Sequence, residues 1–213
     1  MRVYHYLNCK FGLQSIRHRR LRISLVHLLK DPFEHRAIQL PADLEPAFDD
    51  MVPKLADPAH YPPHGSGIIC MSETCDSPVM WSMYADNHEG ICLGFDVPEL
   101  HLYPVVYTKE RVQFDTLDQN TMRISLTYKF DDWQYERERR ILIGLPAEAR
   151  GGHYFAEYDD NIALREVIVG YRSDTKRTEV LAAMGDHANG VEVFKVCRSL
   201  TDFAMIRDER GNW

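Results

Sequence analysis

The segment from Ile68 to Val97 constrains the fold of this chain more than any other. Ile68-Ile-Cys-Met-Ser72 is an apolar run of strand length. Ser77-Pro78 has the form of a helix N-cap followed by proline at the first helical position, where the missing N–H has no intrahelical partner to lose. The spacing predicts a helix from there to about His88, stopped by Gly90 in a left-handed C-cap. Ile91 to Val97 then reads as a second apolar strand. Polar groups such as Ser72, Glu73 and Thr74 stand at strand–helix junctions, where mixed folds place ligands.

The rest of the chain extends this pattern. Val3 to Leu7 reads as a strand, and Phe11 to Arg20 as a helix with basic residues at its dipole-favoured end. Leu21 to Leu25 alternates as a strand does. Asp31-Pro32 again looks like a cap and first-turn proline, opening a short helix through Ala37. Residues 41–67 hold six of the eleven prolines, which predicts a short helix around Asp43–Met51 and a loop at Tyr61–Gly67. Tyr103–Tyr107 is extended, Leu117–Lys129 helical, Arg139–Leu145 a strand and Ala147–Gly152 a turn. Arg165–Gly170 has the composition of a strand buried on both faces. Ser173–Ala188 is a helix capped by Ser173 or Asp174 and ended by Gly190, and Val191–Val196 and Phe203–Ile206 close the sheet. Strands outnumber helices without alternating strictly with them, so the expected class is α+β, with mixed, mostly antiparallel sheets and flanking helices. No repeat or Gly/Ser linker interrupts residues 1–213, which read as a single domain.

Composition excludes several classes of function. No apolar run approaches the roughly 20 residues needed to span a bilayer. The opening Met-Arg-Val-Tyr-His-Tyr lacks the apolar core of a secretory signal, and the five cysteines form no C-x-x-C pair. These features fit reduced thiols and a cytoplasmic location. A formal net charge of −7 opposes non-specific grip on nucleic acid, with one local exception at Arg17-His-Arg-Arg20 and Arg22.

As an extended segment, Tyr135–Ile141 would place Glu136, Glu138 and Arg140 on one face, with Arg137 and Arg139 opposite. Two carboxylates on one face can orient hydroxyls, steady a developing cation or share a proton, or they can be a charged strand edge paired with arginines. His5 lies between Tyr4 and Tyr6 in the first strand and faces away from both. Trp81 and Tyr84 are three apart, on one side of a helix, and could line a pocket, while Met80 and Met83 read as core. No H-x-H, H-E-x-x-H or Cys/His cluster has ligand spacing, so no metal is expected. Cys9, Cys70 and Cys92 read as buried, inert thiols.

On these residues the chain resembles the bacterial family called domain of unknown function 2971. The resemblance rests on Tyr4-His-Tyr6, Asp31-Pro-Phe-Glu34, Cys70-Met-Ser-Glu73, Met80-Trp-Ser-Met-Tyr-Ala85, Gly90-Ile-Cys-Leu-Gly-Phe-Asp96, Trp133 to Arg140, and the strand ending at Gly170. Lys30 stands where that family usually has Asn. More loosely the order His5, then Ser72 or Tyr84, then Glu136-x-Glu138 resembles ADP-ribosyltransferase-like folds. That likeness implies a split sheet and an NAD-dependent transferase or NAD glycohydrolase, as a toxin or phage-defence effector. Glu138, with Glu136, would be catalytic. His5, Tyr6, Ser72, Trp81, Tyr84 and Arg140 would hold NAD or a nucleotide-like molecule, and the acceptor would be nucleic acid or protein. Two alternatives compete: a non-catalytic ligand-sensing module of a defence or stress system, and a metal-dependent nuclease or hydrolase using Asp31, Glu34, Glu73 and Glu138.

Overall fold

Alternation and capping place most of the elements. In the computed structural model, which describes residues 1–55, 66–211 and 213, the chain opens with β1 (Arg2–Leu7), α1 (Cys9–His18), β2 (Arg20–Ile23), β3 (Ile38–Gln39) and α2 (Glu45–Lys54). There follow β4 (Ser66–Ser72), α3 (Pro78–Tyr84), β5 (Ile91–Asp96), β6 (Tyr103–Pro104), β7 (Val106–Thr108), β8 (Val112–Gln113), α4 (Gln119–Ser125) and β9 (Tyr128–Phe130). The chain closes with β10 (Glu138–Gly144), β11 (Tyr154–Glu157), β12 (Ala163–Val169), α5 (Arg177–Met184), β13 (Glu192–Arg198) and β14 (Met205–Arg207). The class is α+β with mostly antiparallel pairing. The loop expected at Tyr61–Gly67 falls largely outside the described residues.

The chain divides into two compact units. The first comprises Met1–Leu21, Met71–Glu99 and Glu157–Trp213; the second comprises Arg22–Cys70 and Leu100–Ala156. In the first unit the strands run β14-β13-β12-β5-β1, with the end of β4 beside β1 where Ser72 pairs with Tyr4. β5 is antiparallel to both β1 and β12, and β12 is parallel to β13. Ile91, Cys92, Leu93, Phe95, Val167, Ile168 and Val169 are all fully buried, which explains their continuous apolar runs. Gly12 lets α1 settle on this sheet, since a Cβ there would lie 2.8 Å from that of Ile91.

In the second unit β10 pairs antiparallel with β6, and the order is β4-β10-β6. Its apolar core gathers Ile38, Phe48, Val52 and Ile68 with Met122 and Leu126 of the α4 turn. Asp118 caps α4 by accepting the Thr121 N–H at 2.9 Å. No helix among the described residues is long and apolar enough to cross a membrane.

Several local expectations change for identifiable reasons. Asp31-Pro32 opens a turn instead of a helix: Asp31 Oδ1 accepts the Phe33 N–H at 2.9 Å, and His35 takes φ 58°, which an α-helix cannot contain. The helix after Ser77 stops at Tyr84, because Asp86, Asn87 and His88 all have positive φ. Gly90 is no left-handed cap; a Cβ there would meet the Leu7 carbonyl oxygen at 2.2 Å and that of Ala85 at 2.8 Å. The helix expected from Ser173 begins at Arg177, because the Ser173 hydroxyl accepts the Thr175 N–H in a local turn that competes with helix. It ends at Gly185, with φ 54°, short of Gly190.

Candidate functional site

The second unit holds a buried cluster of five charged side chains. Glu138 and Arg140 start β10 two residues apart, so strand alternation puts them on one face. Glu136 does not reach the cluster by strand alternation. Residues Asp131–Glu136 form a 3-10 helix, and Arg137 at φ 46° turns the chain into β10. The sequence-based grouping of Glu136, Glu138 and Arg140 therefore holds, and Arg137 and Arg139 are the more exposed pair, but only half of the segment is strand. Glu34, from the turn after Asp31, and Lys129 of β9 complete the group.

The contacts are dense. Arg140 Nε donates to Glu138 Oε1 at 2.9 Å and Nη2 to Glu138 Oε2 at 3.0 Å. The same Nη2 also donates to Glu34 Oε1, and Nη1 to the Leu126 carbonyl at 2.8 Å. Lys129 Nζ donates to Glu136 Oε2 at 2.6 Å and Glu138 Oε2 at 3.3 Å, and lies 3.6 Å from Glu34 Oε2. The ammonium also sits 4.9 Å from the Trp133 ring centroid, a cation–π distance. The Tyr107 hydroxyl accepts the Glu138 N–H at 2.8 Å. All five charged side chains are nearly solvent-free, from 1% exposure at Arg140 to 7% at Lys129. Three carboxylates against two cations leave a formal charge of −1.

This arrangement fixes the protonation states. Burial alone would push the Glu138 carboxyl up, but the Arg140 charge and hydrogen bonds, with Lys129 and the Cys70 thiol, hold it down at about 2. Burial would likewise lower Lys129 and Arg140, and the surrounding carboxylates raise both instead. Burial, then the Glu138 charge, pushes the Cys70 thiol well up, so it is a hydrogen-bond donor and no nucleophile.

Acid stability follows from these directions. The free Glu side chain titrates near 4.5 and folded Glu138 near 2, so its stabilisation is complete above pH 4.5 and decays as pH falls toward 2. The shift corresponds to a loss on the order of 3 kcal/mol. His35 acts in the same sense at higher pH. Burial and then the neighbouring Arg36 charge lower it from 6.5 to about 4, and its Nδ1 has no hydrogen-bond partner among the described residues. The unfolded chain therefore takes up this proton first, and stability drops from pH 6.5 toward 4. His88 acts in the same sense, lowered by burial and then by the Arg172 charge, so thermal melts across pH 3–7 should fall in two stages, with the upper stage reduced in His35→Gln.

The other sequence-selected residues lie in the first unit, on two faces of its sheet. Paired residues of antiparallel strands share a face. Tyr4 and Tyr6 pair with Gly94 and Cys92, and Ser72 pairs with Tyr4, so Tyr4, Tyr6 and Ser72 belong together. Trp81 joins this face, its ring edge-on to Tyr6 at 5.4 Å. Its indole N–H donates to the Cys75 carbonyl at 2.7 Å, and the residue is fully buried. The Tyr6 hydroxyl donates to the Thr74 carbonyl at 2.9 Å. His5 pairs with Leu93 on the opposite face. The structure thus brings Tyr6, Ser72 and Trp81 together and keeps His5 on the other side of the strand; Tyr84 is half-buried at the end of α3.

Lys129 is the cluster member that motif reasoning missed. The available signal was a lysine at the inward position of Tyr128-Lys-Phe130, flanked by aromatics. Among the described residues, no group of three or more His, Cys, Asp or Glu is placed to hold a metal ion. Glu34 and Glu138 face Arg140 and Lys129 where a cation would sit.

No curated protein and no solved structure matches the chain. Residues 80–141 match the family described as protein of unknown function (DUF2971). The match takes in Met80–Ala85, Gly90–Asp96 and Trp133–Arg140, and leaves Tyr4–Tyr6, Asp31–Glu34 and Cys70–Glu73 outside it. Over Met80–Ile141, then, the chain is similar to that family.

Proposed function

We propose that this chain is an ADP-ribosyltransferase-like enzyme that uses NAD as substrate, as a transferase or NAD glycohydrolase, in a toxin or phage-defence setting. The observation that supports it is a Glu138 carboxylate held ionised at the start of a strand, in a cluster of net charge −1. When the ribosyl C1′–N bond breaks, nicotinamide leaves with the bonding pair and positive charge grows on the ribose. A fixed carboxylate favours that charge without reorganising. Water or an acceptor nucleophile then bonds C1′ and gives up a proton. Glu136 shares the Lys129 ammonium and tunes Glu138, and Arg140 positions it. On the first unit, Tyr6, Ser72 and Trp81 are buried on one face of the sheet, where they pack and do not line an open surface.

The test is NAD consumption by the purified chain. Wild type should release nicotinamide, and Glu138→Gln should be slower by about 10²–10³-fold, compared at equal folded fraction by circular dichroism. Wild-type protein that neither binds nor consumes NAD would overturn the reading.

A second reading has its own supporting observation: both Glu138 oxygens are taken up by Arg140 and Lys129, and Trp81 is fully buried. That pattern suits a non-catalytic ligand-sensing module whose charged strand is architecture. It is favoured if a folded Glu136/Glu138 double variant keeps full biological activity. The metal-dependent hydrolase reading is the weakest, since two of its four carboxylates already face protein cations.

A further inference from the structure

A groove in the second unit has the chemistry of a phosphate site and lies outside the carboxylate cluster. It is lined by Arg22, Ser24, Leu25 and Leu28 on one side and His153 and Tyr154 on the other, around a cavity of about 60 Å³. By this measure one water needs roughly 10–15 Å³, so the space holds about four waters, or one phosphate. Alternation in β2 buries Leu21 and Ile23 and leaves Arg22 outward. The facing wall is a tight turn. Arg150 and His153 exchange backbone hydrogen bonds across Gly151 and Gly152, both at positive φ, as in a two-residue hairpin turn that only glycine accepts without strain.

The polar groups of this groove are uncommitted. Among the described residues, no hydrogen bond or ion pair engages the side chains of Arg22, Ser24, His153 or Tyr154. Among the described residues no carboxylate lines the cavity, although the chain as a whole carries −7. Leu28 is 62% exposed beside them, an apolar surface next to a cation. We infer that this groove binds a small nucleotide, with the phosphate between the Arg22 guanidinium and the Ser24, His153 and Tyr154 side chains and the sugar or base against Leu25 and Leu28. One arginine suits one phosphate; a nucleic-acid backbone is gripped by several cations along a track.

The test is an NMR titration of the full chain with AMP, adenosine and a short oligothymidylate. AMP should shift the amide resonances of Ser24, Gly152 and His153. Adenosine, lacking the phosphate, should bind roughly 10- to 100-fold more weakly, and AMP should weaken by a similar factor in Arg22→Ala, an exposed change that leaves the melting temperature unaltered. Equal binding of AMP and adenosine, shifts confined to other residues, or undiminished affinity in Arg22→Ala would overturn the assignment. Much tighter, steeply salt-dependent binding of the oligonucleotide would overturn it in favour of a nucleic-acid site. No NAD turnover is measured, so this outcome stands apart from that of the proposed activity.

Discussion

Arg140→Leu should lower the melting temperature by roughly 6–20 °C. Arg140 is 1% exposed, and its guanidinium answers Glu138, Glu34 and the Leu126 carbonyl. Removing it leaves three buried carboxylates against one ammonium, and breaking one side of a buried ion pair costs about 3–5 kcal/mol. For a chain of this length each kcal/mol shifts the midpoint by roughly 2–4 °C. Leucine fills part of the space, so the loss is one of charge and hydrogen bonding more than of volume. Arg140→Lys should fall between the two, since a lysine keeps the charge and loses the two-nitrogen contact with Glu138. A leucine variant melting within about 2 °C of wild type would mean that the cluster is not the buried network described.

The second large effect is expected at Gly90 and Gly170. A Cβ at Gly90 would come within 2.2 Å of the Leu7 carbonyl oxygen, and one at Gly170 within 2.1 Å of that of His88. The two glycines are themselves joined, the Gly170 N–H donating to the Gly90 carbonyl at 2.9 Å, while the Arg172 N–H donates to His88. Every one of these obstructions is backbone, which cannot step aside as a side-chain tip can. Gly90→Ala or Gly170→Ala should therefore cost about 3 kcal/mol or more, at the upper end of overpacking. Gly151→Ala is the contrast. It has open space and a positive φ, so only the left-handed strain of roughly 1–2 kcal/mol applies. Urea denaturation of the three variants distinguishes the cases, and comparable stabilities for all three would contradict the close approach at Gly90.

Legibility in the sequence followed how local each cause is. β1, β4, β5 and β12 were readable because alternation or an unbroken apolar run reports burial directly, as at Val167-Ile-Val169. Helix ends were less readable, because turns outcompeted helix where short polar side chains could bond their own backbone, at Asp31 and at Ser173. Gly90 shows the same limit: a glycine excluded by a carbonyl across the fold looks like any helix-stopping glycine. At the site, the i, i+2 relation of Glu138 and Arg140 was visible, and so was the opposed facing of His5 and Tyr6. The roles of Lys129 and Glu34 were not, since their partners meet them only through tertiary packing: Arg140 stands 106 residues beyond Glu34.

Glu138 held as an anion inside the fold is the point on which the ion-pair network, the acid sensitivity and the NAD chemistry all turn. Carboxyl-carbon NMR of the folded protein, titrated from pH 7 downward in wild type and in Lys129→Met, measures it directly. Glu138 should stay ionised until about pH 2 in wild type and titrate higher once the Lys129 charge is gone. A wild-type midpoint at or above the ordinary 4.5, unmoved by Lys129→Met, would contradict the account.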